Sequence, residues 1–65
     1  MKIIVNGQQE IFILQTVDEL VQNKGLETDS LVVELNRKII RQAQWSGTHL
    51  QENDEVELLN FVGGG

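Results

Sequence analysis

The residues with the most chemistry to offer are the last five, Phe61-Val62-Gly63-Gly64-Gly65. A hydrophobic stretch runs into three glycines and the sequence stops, leaving an α-carboxylate on backbone with no side chains around it. Glycine packs nothing and loses the most entropy on ordering, so a run of it seldom supports a fold. Two readings follow. One is a frayed end, since termini are commonly poorly ordered. The other is a tail shaped to thread into a narrow site on a partner and present its carboxylate. Elsewhere the chain offers little reactive chemistry. It has no cysteine, hence no disulfide, no thiolate metal site and no thiol nucleophile. Its one histidine, His49, cannot by itself make a metal site or a catalytic dyad, and beside Thr48 it reads as a solvated loop residue.

The elements that would carry such a tail must fit into 65 residues, which is one domain. A chain of this size buries only about 60% of the surface its unfolded form exposes, leaving little room for an internal catalytic pocket. Five basic residues stand against ten acidic ones, for a net charge of −5. That balance argues against nucleic acid and against anionic membrane surfaces, both of which want clustered Lys and Arg. It suits solubility or docking to a basic patch on another protein. The opening Met1-Lys2-Ile3-Ile4-Val5 is too short and too soon polar for a signal peptide. No apolar run approaches the ~20 residues that span a bilayer. A cytoplasmic location is the expectation.

Lys2 to Val5 is rich in β-branched residues and reads as a strand, with Ile3 and Val5 on one face and Ile4 on the other. Asn6-Gly7 is the strongest short hairpin signal, because both residues accept the positive φ of a type I′ turn. Glu10 to Leu14 is then expected as the returning strand. Thr16-Val17-Asp18-Glu19 has the form of a capping box, and Val17, Leu20 and Val21 make one apolar stripe at helical spacing. Lys24 suits the last turn of a short helix over 17–23, and Gly25 suits the residue that ends it.

Leu31 to Leu35 predicts a third strand, well apolar and so central. Asn36-Arg37 predicts a tight turn into a short fourth strand, Lys38 to Ile40. Arg41 to Gly47 shows no period, and its Trp45 is expected in the core or as its lid. After a turn at Asn53-Asp54, Glu55-Val56-Glu57-Leu58 alternates strictly, with Val56 and Leu58 inward. If the strand continues to Val62, Leu59 and Phe61 fall on the opposite, solvent-facing side, where an apolar pair beside a glycine tail forms a docking surface. The order β-β-α-β-β-β predicts an α+β domain, with one helix on one side of a mixed sheet of four to five strands.

This order, with a chain ending in Gly-Gly, resembles the ubiquitin-like β-grasp fold. Within that fold it most resembles the thiamine-pathway sulfur carrier family. The matching residues are Asn6-Gly7, Thr16-Val17, Leu35-Asn36 with Lys38-Ile39-Ile40, Trp45, Asp54-Glu55-Val56-Glu57 and Phe61-Val62-Gly63-Gly64-Gly65. Two places depart from the family's usual pattern. Asn53 stands where a glycine commonly precedes the aspartate, and the segment after Ile40 lacks a Pro-Arg pair. The resemblance implies a β-grasp domain over 1–62 and a flexible glycine tail over 63–65. It implies that the Gly65 carboxylate, a poor electrophile as it stands, is adenylated by an ATP-dependent, ubiquitin-activating-type adenylyltransferase. A sulfur-donating desulfurase system then converts it to a thiocarboxylate, whose sulfur passes to thiazole synthase for the thiazole of thiamine. Gly64, Gly63, Val62, Phe61 and Leu59 would contact these partners. The chain itself would be a carrier rather than an enzyme, with no bound cofactor and no metal; ATP belongs to the activating partner. The sulfur-carrying small subunit of molybdopterin synthase and a ubiquitin-like protein modifier share the same terminal chemistry and stay open as alternatives.

Overall fold

The computed structural model describes residues 1–60. The chain forms strand β1 (Lys2–Val5), strand β2 (Gln8–Ile11), helix α1 (Val17–Lys24), strand β3 (Leu31–Leu35), strand β4 (Lys38–Ile40), a 3-10 helix (Gln42–Gly47) and strand β5 (Glu55–Asn60). The five strands make one sheet in the order β2-β1-β5-β3-β4. The β1–β5 pair is parallel and the others are antiparallel. This is the α+β architecture that the element order predicts. β3 is an interior strand, but the centre of the sheet is β5, the strand that leads to the C-terminal residues.

The first hairpin corrects the expected second strand. Asn6 and Gly7 have φ of 49° and 82°, the positive values a two-residue type I′ turn needs. Such a turn fixes register, so Val5 must pair with Gln8 and the returning strand begins at once. The strand is therefore Gln8–Ile11, not Glu10 to Leu14. Its polar start is tolerated because β2 lies at the sheet edge. Beyond Ile11 the pairing with the first strand is kept by Phe12, which exchanges hydrogen bonds with Met1 at 2.9 and 2.8 Å.

Helix α1 starts as its sequence demands. The Glu19 amide donates to the Thr16 hydroxyl at 3.2 Å, and the Glu19 carboxylate accepts from the Thr16 amide at 3.0 Å. The helix runs one residue further than expected, to Lys24, and Gly25 closes it with φ 66°. Lys24 pairs with Glu10 at 2.6 Å and lies 5.6 Å from the Phe12 ring centroid, tying the helix end to β2. Val17, Leu20 and Val21 are buried against Ile3, Val5, Val33, Val56 and Leu58. Apolar area removed from water stabilises by about 25 cal/mol per Å2, so this one face of the sheet carries most of the fold's stability.

The segment after β4 was expected to be irregular; instead it winds into a 3-10 helix. Trp45 holds it down, 2% exposed, with its Nε1–H donating to the Ile40 carbonyl at 2.9 Å. Burying the ring without that bond would strand a donor, which is costly in an apolar setting. Asn53 has φ 71°. The glycine usual at this place in the resembling family is thus replaced by the residue that best tolerates a left-handed backbone after glycine.

Candidate functional site: the open sheet face and the end of β5

Alternation along β5 splits its side chains cleanly. Val56 and Leu58 enter the core, while Glu55, Glu57 and Leu59 face away from the helix. Register then fixes their neighbours. Leu59 stands opposite Val32, Glu57 opposite Glu34, and Ile39 on the far side of Glu34. Leu59 is 37% exposed and Ile39 is 68% exposed, so apolar surface lies on both sides of the carboxylates. Like charges directly opposite each other on a sheet are destabilising. Neither glutamate has an ion-pair partner among the described residues, where the ion pair present is Lys24 with Glu10. This face is unpartnered and negative at its centre.

Three asparagine side chains fasten β5 beyond its regular ladder, two from neighbouring turns and one, Asn60, from the strand's own last residue. The Asn36 side chain accepts from the Glu55 amide at 3.0 Å and donates to Asp54 Oδ1 at 3.0 Å. The Asn6 side chain accepts from the Leu58 amide at 2.8 Å and donates to its carbonyl at 3.4 Å. It thereby acts as one further residue of β1, past the point where the hairpin turns away. Asn60 accepts from the Ser30 hydroxyl at 2.9 Å and donates to the Glu27 carbonyl at 3.4 Å. The end of β5 is thus held at both of its flanks. Sequence reasoning did not find these asparagines as strand anchors; Asn6 and Asn36 carried a local signal only through their turns.

Of the expected site residues, the structure places Leu59 on the open face as anticipated. Phe61, Val62, Gly63, Gly64 and Gly65 lie outside the described residues. His49 is exposed, and its backbone bridges to Thr16 at the helix start. Among the described residues, no group of three or more His, Cys, Asp or Glu side chains is placed to hold a metal ion. No helix there is long and apolar enough to cross a membrane. The Glu19 carboxyl is held below the usual glutamate range, first by the Gln15 amide and then by the Thr16 amide. That is a capping role, not a catalytic one.

Comparison with known proteins places this geometry. The family model described as the ThiS family matches residues 3–65. The crystal structure of the thiamine biosynthesis protein ThiS from Geobacter metallireducens superposes with a TM-score of 0.85 at 29% identity, covering all of both chains. The sulfur carrier protein ThiS of Bacillus subtilis is 34% identical over 50 residues, which are 77% of this chain and 76% of that protein. The thiazole synthase of Paramagnetospirillum magneticum is 29% identical over 66 residues; the match takes in the whole of this chain, which spans only 20% of that synthase. With the family model covering nearly every residue, and the β-grasp sheet and helix matched along their full length, this chain belongs to the ThiS family.

Proposed function

We propose that this chain is the sulfur carrier of thiamine biosynthesis, with the Gly65 carboxylate as its working group. The observation that carries the reading is the family match, which extends through the final glycines to residue 65. The names of the relatives favour the thiamine branch over the molybdopterin branch and over a protein modifier.

In this reading an ATP-dependent adenylyltransferase joins the Gly65 carboxylate to AMP and releases pyrophosphate, giving the carbonyl a good leaving group. The terminal sulfur of a persulfide on the desulfurase system attacks that carbon and displaces AMP. A second thiol then attacks the donor-protein sulfur of the acyl disulfide so formed, making a disulfide with it, losing its proton and breaking the S–S bond to release the thiocarboxylate. The thiocarboxylate sulfur is nucleophilic and goes to thiazole synthase. The carrier supplies reach and placement. Five extended residues span roughly 17 Å at most, enough for a folded body to dock outside while the glycines enter a tunnel that side chains would block.

The docking surface is the open sheet face around Leu59, together with Phe61 and Val62, which follow it in the sequence. The unpaired Glu34 and Glu57 favour a basic patch on the adenylyltransferase, through the steering that a charged surface gives. The test is ATP–pyrophosphate exchange by the cognate adenylyltransferase. Deleting Gly65 shortens the reach by about 3.5 Å, and misplacement of a reacting atom by about 1 Å can cost ~100-fold. Exchange should vanish while circular dichroism stays native. Full exchange without Gly65 would end the carrier reading. Intact-mass analysis of protein from cells should also show a species heavier by the difference between sulfur and oxygen.

A further inference from the structure

β5 loses its two neighbouring strands at different points. On the β1 flank the Asn6 amide donates to the Val56 carbonyl at 2.9 Å, and the Leu58 amide donates to the Asn6 side chain at 2.8 Å. The backbone groups of Val56 and Leu58 therefore point toward β1, and alternation turns those of Asn60 the same way. β1 has left that flank by then, because its hairpin turns at Asn6-Gly7. On the other flank the backbone groups of Glu57 and Leu59 face Glu34 and Val32 of β3. Leu59 is thus the last residue of β5 whose backbone faces a strand. Leu31 stands opposite Asn60, but its amide donates back to the Thr28 carbonyl at 3.2 Å.

Asn60, the last residue of β5, is held by its side chain instead. Alternation puts that side chain on the same side of the sheet as Val56 and Leu58, at the rim where the connection from α1 to β3 passes. There Oδ1 accepts from the Ser30 hydroxyl at 2.9 Å, and Nδ2 donates to the Glu27 carbonyl at 3.4 Å. Both partners belong to the turn that the Thr28–Leu31 bond closes. Two bonds from one planar amide fix the orientation of Asn60 as well as its position.

We infer that Asn60, held by Ser30 and the Glu27 carbonyl, is a positioning residue for the carrier reaction: it sets the point and the direction in which residues 61–65 leave the folded body. This inference rests on the carrier reading given above. Without the side-chain bonds the last fixed residue is Leu59, and the tether to the Gly65 carboxylate grows by one residue. Added length alone matters little, since effective concentration falls roughly as the −3/2 power of tether length and one residue in five lowers it by about a quarter. The bonds matter more. A complex that needs Asn60 in place must order it without them, and the net worth of one side-chain hydrogen bond corresponds to roughly fivefold.

The test takes Asn60→Ala, Ser30→Ala, the double variant and Ser30→Thr in the full chain. Hydrogen exchange on isotope-labelled protein reads the anchor without any partner. The Leu59 amide should exchange roughly fivefold faster in Asn60→Ala, and the Glu57 amide should keep the parent rate. The double variant should match Asn60→Ala, because the two residues share one bond. In ATP–pyrophosphate exchange well below the melting temperature, kcat should fall roughly fivefold in Asn60→Ala. KM for the carrier should stay at the parent value, since Leu59, Glu34 and Glu57 are untouched. Ser30→Ala should lower kcat in the same direction, and Ser30→Thr, which keeps the hydroxyl, should restore it. A lower melting temperature with the parent kcat would make Asn60 a structural anchor and overturn the inference. So would a change confined to KM, or parent exchange at the Leu59 amide. No pyrophosphate exchange with the parent chain would instead overturn the carrier reading, and the positioning role with it.

Discussion

The two faces of the one sheet obey opposite rules. On the helix side, β1, β3 and β5 contribute Ile3, Val5, Val33, Val56 and Leu58, all buried, and α1 closes over them with Val17, Leu20 and Val21. On the other side the same strands present Lys2, Ile4, Val32, Glu34, Glu55, Glu57 and Leu59, and nothing covers them among the described residues. Stability is concentrated on the first face. The second keeps a like-charge pair that costs stability where a neutral pair would not, and it borders the end of β5. The difference separates what holds this protein together from what it offers to others, one residue apart along every strand.

The sharpest way to break this division is through the helix. Leu20 is fully buried at the centre of the α1 contact. Leu20→Ala should cost about 2–4 kcal/mol through lost transfer energy and the cavity left behind. A denaturant titration reads this directly. Undiminished stability would mean that the helix face is not where the fold is held. A variant that stays folded at low temperature should still support pyrophosphate exchange, because the tail and the open face are untouched.

A smaller effect belongs to the start of the same helix. Thr16→Ala removes the acceptor for the Glu19 amide and should cost about 1 kcal/mol. The return half of the cap titrates. The Glu19 carboxyl has a lowered value in the folded chain, so its contribution is complete above the ordinary glutamate range of about 4.3 and is lost as pH falls through the lower folded value. Glu19→Gln should therefore flatten that part of the acid limb in thermal melts between neutral and strongly acid pH. An acid limb identical to the parent's would place the pH dependence elsewhere.

Local signals made most of these elements legible in the sequence. Thr16 with Glu19, Gly25 after Lys24, and the alternation at Glu55 to Leu58 each state their structure through chemistry within a few residues. The misplaced second strand shows where such reading fails. Ile11 to Leu14 is apolar enough to suggest a strand, but a two-residue Asn-Gly turn dictates that pairing begins at Gln8, and geometry overrides hydrophobicity. Reading the turn first would have found it. The central place of β5 could not be read locally, because strand order depends on contacts between distant segments, and the more apolar β3 was expected there instead. Trp45 was identifiable as core, yet the 3-10 helix around it was not, since that helix has no apolar period and is held down by burial of Trp45 in a core built from distant segments. For the candidate site, Leu59 was legible from alternation, whereas the Glu34–Glu57 pairing needs the register of two strands far apart in sequence.

That pair yields the smallest effect and the most direct test of the division between faces. Glu57→Gln removes one charge from a directly opposed like-charge pair while keeping the side chain's length and its place on the open face. Relief of the repulsion should raise stability by a few tenths of a kcal/mol, within the ~0.2–1 kcal/mol range of cross-strand pairs. The gain should shrink as salt screens the two carboxylates. Binding to the adenylyltransferase should move the other way. Losing one charge from the proposed docking face should slow association, most visibly at low ionic strength. Thermal melts at two salt concentrations and association rates under the same conditions measure both. A variant that gains stability and binds as fast as the parent would show that the open face does not meet a basic partner. A variant that loses stability would show that Glu57 has a structural partner within the fold. Only opposite signs in the two measurements agree with a face that gives up stability for the sake of docking.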